Sequence, residues 1–249
     1  MKIAVAGGTG TVGRHVVDVA AARGHATVVL SRSCGVDLRH GAGLAAALTG
    51  VDVVVDATGV STQAAERSRE FFRAVTTHLL RAEREAGVGH HVVLSIVGVD
   101  RAPHGYYAGK ALQEELVRAG GVPWTLLRTT QFHEFARQVL GQVRVGPLDL
   151  VPVMRSQPVA AREVAERLVD LAEAPPAGPA RDLAGPQELR LVDMVRAYAR
   201  ATGRRGPVLA VPLPGAFGRA LRDGTLIPGG DVDHGRQSFA QWLTTAPAR

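Results

Sequence analysis

Ten residues near the start, Val5-Ala6-Gly7-Gly8-Thr9-Gly10-Thr11-Val12-Gly13-Arg14, constrain the chain more than any other stretch. A short apolar run, Ile3 to Ala6, leads into them. Val12, Val16, Val17, Val19 and Ala20 follow at three- and four-residue spacing. That rhythm predicts an amphipathic helix, so the glycines stand where a buried strand turns into a helix. A glycine there permits backbone angles that a Cβ forbids. The missing Cβ lets a pyrophosphate lie against the backbone, and the last glycine lets helix and strand pack closely. The N–H groups and dipole at the helix start favour phosphate. The spacing is Gly7-x-x-Gly10-x-x-Gly13. We therefore expect Gly7, Thr9, Gly10, Thr11, Val12, Gly13 and Arg14 to form a dinucleotide cradle.

Ala26 to Leu30 reads as the second strand, with Ser31-Arg32 directly after it. In a dinucleotide fold this is where the adenosine ribose is read. An acidic residue accepts bonds from the 2′-hydroxyl of NAD, whereas a basic one pairs with the 2′-phosphate of NADP. Arg32, with Ser31 as a second donor and Arg14 within reach, predicts NADP(H).

Strands and helices then alternate. We expect a short extended piece at 36–38, a helix over 42–48, strand 51–57, a long helix over 63–86, strand 91–96, a helix over 106–118 and strand 124–128. This alternation predicts an α/β fold, a Rossmann-type doubly wound parallel sheet with helices on both faces and ligands beyond the carboxyl ends of its strands. The small residues Ala57, Thr58 and Gly59 would let backbone approach the cofactor. After residue 130 the rhythm changes: a helical 132–140, extended pieces near Val143 and Val151, a helix over 161–172, a linker at Pro175–Pro179, a strand near Leu183, a helix over 191–202, strand 208–211, and helices near 216–222 and 237–243. We read one domain with a core of about 1–130 and a small C-terminal lobe from about 131–160 and 180–249.

The totals exclude several classes. No apolar run approaches the roughly 20 residues of a membrane helix, and the N-terminal run is too short for a signal peptide. Cys34 is the only cysteine, so there is neither an internal disulfide nor a CxxC site; a cytoplasmic protein is expected. The net charge of +6 is spread along the chain without interleaved aromatics, which argues against nucleic acid. The histidines lack metal-ligand spacing, so no metal is expected. Asp52 and Asp56 alternate along a strand and read as solvated or sheet-edge residues; Trp124 and Trp242 read as core anchors. The 29 basic side chains include only two lysines, Lys2 and Lys110, and there is no asparagine. Such a bias fits a GC-rich bacterial genome and makes an internal lysine notable.

That lysine closes a Tyr-x-x-x-Lys pattern, Tyr106 to Lys110. On a helix the two share a face. The ammonium would lower the phenol's pKa, and a phenol so tuned can give a proton to a carbonyl oxygen as hydride arrives.

The chain resembles the short-chain dehydrogenase/reductase superfamily in its atypical, NmrA-like NAD(P)H-binding branch. GGTGTVGRHVV, LSRS, VDVVVDATG, AGVGHHVVLSIVGVD, YYAGK, PWTLLRTTQFHEF, QPVAAREVAERL and LAGPQEL carry the resemblance over essentially the whole chain. It implies that Asp37 contacts adenine, that Ala57, Thr58 and Gly59 line the nicotinamide side, that Lys110 holds the ribose, and that the stretch from Thr129 to His133 lies near nicotinamide and substrate. The superfamily's second serine is Ile96 here and its helix asparagine is missing, which leaves Ser95 or His133 as stand-ins. The leading expectation is an NADPH-dependent reductase of a small carbonyl or quinone, monomeric or homodimeric. Tyr106, Lys110 and Ser95 would be its catalytic group, and Phe132, His133, Phe135, Met154 and Phe217 its substrate walls. The alternatives are a non-catalytic NADP(H)-binding redox sensor and a cofactor-assisted isomerase or epimerase.

Overall fold

The computed structural model describes residues 1–245. In chain order its elements are β1 (Lys2–Ala6), α1 (Gly13–Ala22), β2 (Ala26–Leu30), α2 (Leu44–Ala47), β3 (Val53–Asp56), α3 (Ala65–Ala86), β4 (His90–Ile96), α4 (Tyr106–Ala119), β5 (Trp124–Thr129), α5 (Phe135–Val139), β6 (Arg144–Val145), β7 (Leu148–Pro152), β8 (Arg155–Ser156), α6 (Ala161–Glu173), β9 (Gly178–Pro179), β10 (Leu183–Ala184), β11 (Leu189–Arg190), α7 (Leu191–Ala201), β12 (Val208–Val211), α8 (Gly215–Asp223), β13 (Asp233–His234) and α9 (Phe239–Thr245). They fall into two compact units, residues 1–128 with 162–181, and residues 129–161 with 182–245. Among the described residues no helix is long and apolar enough to cross a membrane.

In the first unit the strands run β2-β1-β3-β4-β5, with β9 beside β5. The pairs β1–β2, β1–β3, β3–β4 and β5–β9 are parallel. β1 and β3 are buried almost throughout, which is why both read as unbroken apolar runs rather than alternating ones. Ala4, Ala6, Leu30, Val54, Leu44, Leu48 and Leu79 form one core cluster; Leu80, Val93, Val117, Val122 and Leu126 form another. The order has a direct consequence. After β1 the chain goes to β2 on one side, then crosses to β3 on the other. The crevice at such a switch lies outside the carboxyl ends of β1 and β3.

Polar groups are buried with partners. His91 on β4 hydrogen-bonds through Nδ1 to both carboxylate oxygens of Glu83, at 2.9 and 3.0 Å, and both residues are fully buried. His90 Nε2 pairs with Thr125 Oγ1 at 2.8 Å. The Pro175–Pro179 stretch, expected as a linker, instead carries β9: Ala177 N donates to Thr125 Oγ1, and Ala180 N donates to Leu126 O. Its prolines suit it to a short edge strand, where a missing N–H costs nothing.

The second unit holds four short strand pairings. β6 runs antiparallel and β12 parallel to β7; β8 pairs antiparallel with β11, and β10 parallel with β13. The core includes Leu191, Met194, Val195 and Tyr198 of α7. Trp242 is partly buried in an aromatic cluster with His133, Tyr198 and Phe239.

The Glu83–His91 pair gives the first expected outcome. Burial opposes the imidazolium, but the Glu83 carboxylate outweighs it and raises the His91 pKa. Stabilisation from a raised pKa is fully present below the unfolded value, about 6.5, and fades as pH climbs through the folded value. Urea unfolding of a Glu83→Gln variant should show a loss of about 3 kcal/mol at mildly acid pH. The gap to wild type should narrow as the solution is made alkaline.

Candidate functional site

Three backbone segments meet beyond the ends of β1 and β3. Gly7 sits in the left-handed region at φ +74°, and a Cβ on it would lie 2.8 Å from Ala57 O. A Cβ on Gly13, the first residue of α1, would lie 2.2 Å from Gly7 O. Gly10 N donates to Gly7 O at 2.8 Å. So the glycines let the turn touch both the helix start and the loop after β3. Thr9 and Gly10 are exposed. No side chain caps the first turn of α1, since Val12 occupies the cap; Arg14 N donates to Gly10 O at 3.3 Å, and an uncapped helix start favours an anion. This is a cradle a Cβ would fill, and it fits a dinucleotide pyrophosphate.

β2 ends beside it: Gly7 N donates to Leu30 O at 3.4 Å. Arg32 begins a tight turn through Cys34, closed by Gly35 at φ +79°. Arg32 and Arg14 are exposed and form no ion pair among the described residues. Ser31 Oγ pairs with Ser33 Oγ at 2.9 Å. The Asp37 carboxylate accepts from Arg39 N, His40 N and His40 Nδ1, and the His40 bond holds its pKa low. Asp37 thus closes its own turn, bridged to Ala42.

The loop after β3 brings in the phenol. A Cβ on Gly59 would lie 3.2 Å from the Tyr106 hydroxyl. Tyr106 opens α4, which lies close on α3 because residue 109 is glycine: a Cβ there would meet Ser68 Oγ at 2.2 Å and Phe72 at 2.6 Å. Ser68 Oγ donates to Tyr106 O at 2.8 Å, and Phe72 packs edge-on to the Tyr106 ring. The cradle, Ala57–Gly59 and Tyr106 are therefore contiguous within the first unit.

Lys110 departs from expectation. It is 3% exposed. Its ammonium donates to Leu94 O and to Gln113 Oε1, and lies 4.9 Å from the centre of the Phe72 ring. An ammonium has three donors: a carbonyl, an amide and a ring face engage this one. Gln113 passes the interaction on, its Nε2 donating to Asp56 Oδ2 at 2.8 Å, while Asp56 Oδ1 accepts from Thr58 N at 2.9 Å. The Lys110 charge thus stabilises the buried Asp56 carboxylate and, through it, the start of the Thr58–Gly59 loop. Nor does it lower the phenol's pKa: burial, first, and then Tyr107 and Asp56 push the Tyr106 pKa upward. Asp56, expected as solvated or at an edge, is fully buried on a central strand. Asp52 is exposed and accepts from Lys2 N.

Ser95 does not join Tyr106. It is buried, and its hydroxyl donates to Glu114 Oε1 at 2.5 Å. Arg128 grips the same carboxylate with Nε at 2.9 Å and an amino nitrogen at 2.8 Å. Burial pushes the Glu114 pKa up, but the Arg128 and Ser95 hydrogen bonds outweigh it. In this structure the Ser95 hydroxyl is thus committed to the carboxylate that Arg128 holds.

The other expected residues lie in the second unit. Thr129 is buried and pairs with Leu183. His133 is fully buried: Nε2 donates to Gln237 O at 3.0 Å, and its ring packs on Phe239 and Trp242. Met154 is buried as well. Both lie in the interior of the unit. Phe132, Phe135 and Phe217 are partly exposed.

Sequence reasoning misses Asp56, Gln113 and Gly109 as positioning residues. One signal is present: an aspartate ending a wholly apolar strand, VVVD, has to find a buried partner.

A family model described as NAD(P)H-binding matches residues 7–175. No curated protein sequence matches the chain. Among solved structures, a short-chain dehydrogenase/reductase superfamily protein from Agrobacterium tumefaciens with bound NAD is similar at 19% identity and TM-score 0.70, over 98% of this chain and 95% of that one. The UDP-glucose 4-epimerase of Thermus thermophilus in complex with NAD is similar at 20% identity and TM-score 0.67, over 100% and 94%. The Escherichia coli NADPH-dependent quinone oxidoreductase QOR2 complexed with NADPH is similar at 18% identity and TM-score 0.66, over 98% and 99%. At these identities the likeness speaks for the fold.

The buried ammonium sets a pH signature. Burial pushes the Lys110 pKa down to about 8, against the pull of Asp56 and Glu114. Between that value and the unfolded one, about 10.4, the unfolded chain holds the extra proton, so stability rises with pH. Relative to Lys110→Met, wild type should gain about 1–3 kcal/mol across this window in denaturant titrations. A lysine in open contact with solvent would show no such gain.

Proposed function

The chain belongs to the NAD(P)H-binding family, and on that premise we propose that it is an NADPH-dependent reductase of a small organic carbonyl or quinone. The observation that carries this reading is the Tyr106 hydroxyl beside Gly59, in the same crevice as the Gly7–Gly13 cradle. When bound, NADPH supplies a hydride. The cradle's backbone N–H groups and the start of α1 hold the pyrophosphate. Arg32 and Arg14, neither committed to a carboxylate, hold the 2′-phosphate by charge-assisted hydrogen bonds. The Ala57–Gly59 loop, anchored by Asp56, presents small residues that permit close approach.

Tyr106 acts as the proton donor. Its raised pKa keeps the phenol protonated over the whole physiological range. For an aldehyde or ketone, the oxygen becomes an alkoxide, more basic than the Tyr106 phenolate, so the Tyr106 proton moves to it downhill; a quinone becomes a hydroquinone anion, less basic than that phenolate, and takes its proton from water.

Nucleotide titrations test the cofactor. NADPH and NADP+ are expected to bind at least tenfold more tightly than NADH and NAD+, and Arg32→Ala should erase that difference, about 1.4 kcal/mol. Equal affinities in wild type would overturn the NADP reading. Turnover of NADPH with a panel of quinones and aldehydes tests the chemistry. Tyr106→Phe should lower kcat for aldehydes by about a hundredfold, the usual worth of a general acid, with the NADPH affinity unchanged.

A second reading has its own observation. Ser95 is engaged by Glu114, and the chain has no asparagine, so Tyr106 lacks the polar companions of a full catalytic set. A protein that binds NADP(H) with the predicted preference but oxidises NADPH with no member of the panel would be the NADP(H) sensor.

A further inference from the structure

The three-stranded sheet of the second unit has an unusual solvent side. Register puts Leu209 of β12 opposite Leu150 of β7, Val211 opposite Pro152, and Val145 of β6 opposite Leu148. Leu150 N donates to Val143 O, which extends the pairing by one more residue. Opposed residues share a face. Val143, Val145, Leu148, Leu150, Leu209 and Val211, with Pro152, therefore form one continuous aliphatic face. On the other face Asp149, Val151 and Val208 are buried and α7 packs on the sheet, while Arg144 and Ala210 on the two outer strands are exposed.

Apart from Met1, every exposed large hydrophobic residue among the described ones lies on this sheet or just beyond it. Val145 is 58% exposed, Val143 54%, Leu209 42%, Leu213 38% and Val211 36%. A half-covered sheet normally alternates apolar inside with polar outside. Here the solvent side is apolar, and the charged side chains Arg144 and Asp149 lie on the other face.

We propose that a second copy of this chain packs on that face, giving a two-fold homodimer held sheet to sheet. Area supports the assignment. The exposed side chains present on the order of 400 Å² of apolar surface, within the range of the largest patch on a typical monomer, often a functional one. With a polar rim, such a centre reaches the roughly 800 Å² per partner of a stable interface. Composition supports it too. The face holds no charged or hydrogen-bonding side chain, so nothing polar would be buried unpaired when it meets itself. Flat aliphatic faces stack about 10 Å apart in sheet packing, and a two-fold contact requires one patch to complement its own copy.

Edge pairing is disfavoured. The carbonyls of Pro207 and Val211 face β7 and accept from Asp149 N and Val153 N. The Val208 carbonyl instead accepts two bonds from the Arg196 guanidinium, at 3.1 and 2.8 Å. Pro212 then brings no N–H. A blocked edge is the usual guard against strand addition, and β12 carries one. A membrane seat is disfavoured as well, because the face lacks the aromatic residues of membrane interfaces.

Sedimentation equilibrium of the full chain, from about 1 to 100 µM, tests the proposal over the affinities such interfaces span. A monomer–dimer equilibrium is expected, with a dissociation constant little changed by salt, since no ion pair crosses the centre. Leu209→Glu and, separately, Val145→Glu should each weaken it at least tenfold. Both positions are exposed, so circular dichroism should show the wild-type fold in both variants. If one misfolds, the other decides. A wild-type monomer at the highest concentration overturns the proposal, whether or not phosphatidylserine vesicles capture it. A dimer indifferent to both glutamate substitutions also overturns it.

Discussion

The first unit depends on one backbone contact. Gly7 O stands where a Cβ of Gly13 would be, and Ala57 O stands where a Cβ of Gly7 would be. Two strand ends and a helix start thus close to backbone distance. Packing at that range tolerates no side chain, so both glycines are steric requirements. The same contact explains why the pocket forms at this place. It is the point where the strand order turns from β2-β1 to β1-β3, and a crevice there is a property of topology. Binding and folding are consequently the same constraint at this site: what lets the chain close also leaves room for a phosphate.

Behind that contact lies a layer of buried charge. Lys110, Gln113 and Asp56 form an oriented chain, ammonium to amide to carboxylate, which ends on the backbone of Thr58. Ser95, Glu114 and Arg128 form another. Neither touches the open crevice, yet the first anchors the loop that carries Gly59, against which the Tyr106 hydroxyl sits. A buried ion pair is weak evidence for stability; here its observable effect is positional.

Local signals are the most legible in the sequence. The glycine loop, the strand at 26–30, the Tyr106 helix and the family itself can be read because each rests on neighbouring residues or on a motif with its flanks. Long-range partners are not legible. Asp56 reads as solvated because alternation assigns an aspartate to the wet side of a strand, and nothing local announces Gln113, 57 positions away. The Tyr-x-x-x-Lys spacing places two side chains on one helix face but does not say which way an ammonium turns; Phe72 and the Leu94 carbonyl decide that, and both lie on other elements. Ser95 escapes a local reading for the same reason, since its partner Glu114 lies on the next helix. In the second unit the extended pieces near Val143, Val151 and Val208 are legible, but the exposure of their aliphatic side is not. The periodicity of a strand separates two faces without saying which one meets solvent.

Burial of Lys110 also changes what the molecule offers to amine chemistry. With two lysines in 249 residues, and one of them sealed behind Phe72, Lys2 is the sole side-chain amine near the surface. Even there Nζ is engaged by Thr49 O at 2.7 Å. Acylating agents and reducing sugars thus meet a protein whose positive charge is almost wholly guanidinium. Lys110 becomes open to them only when α4 lifts from the sheet, so its modification would time-stamp the opening of the core.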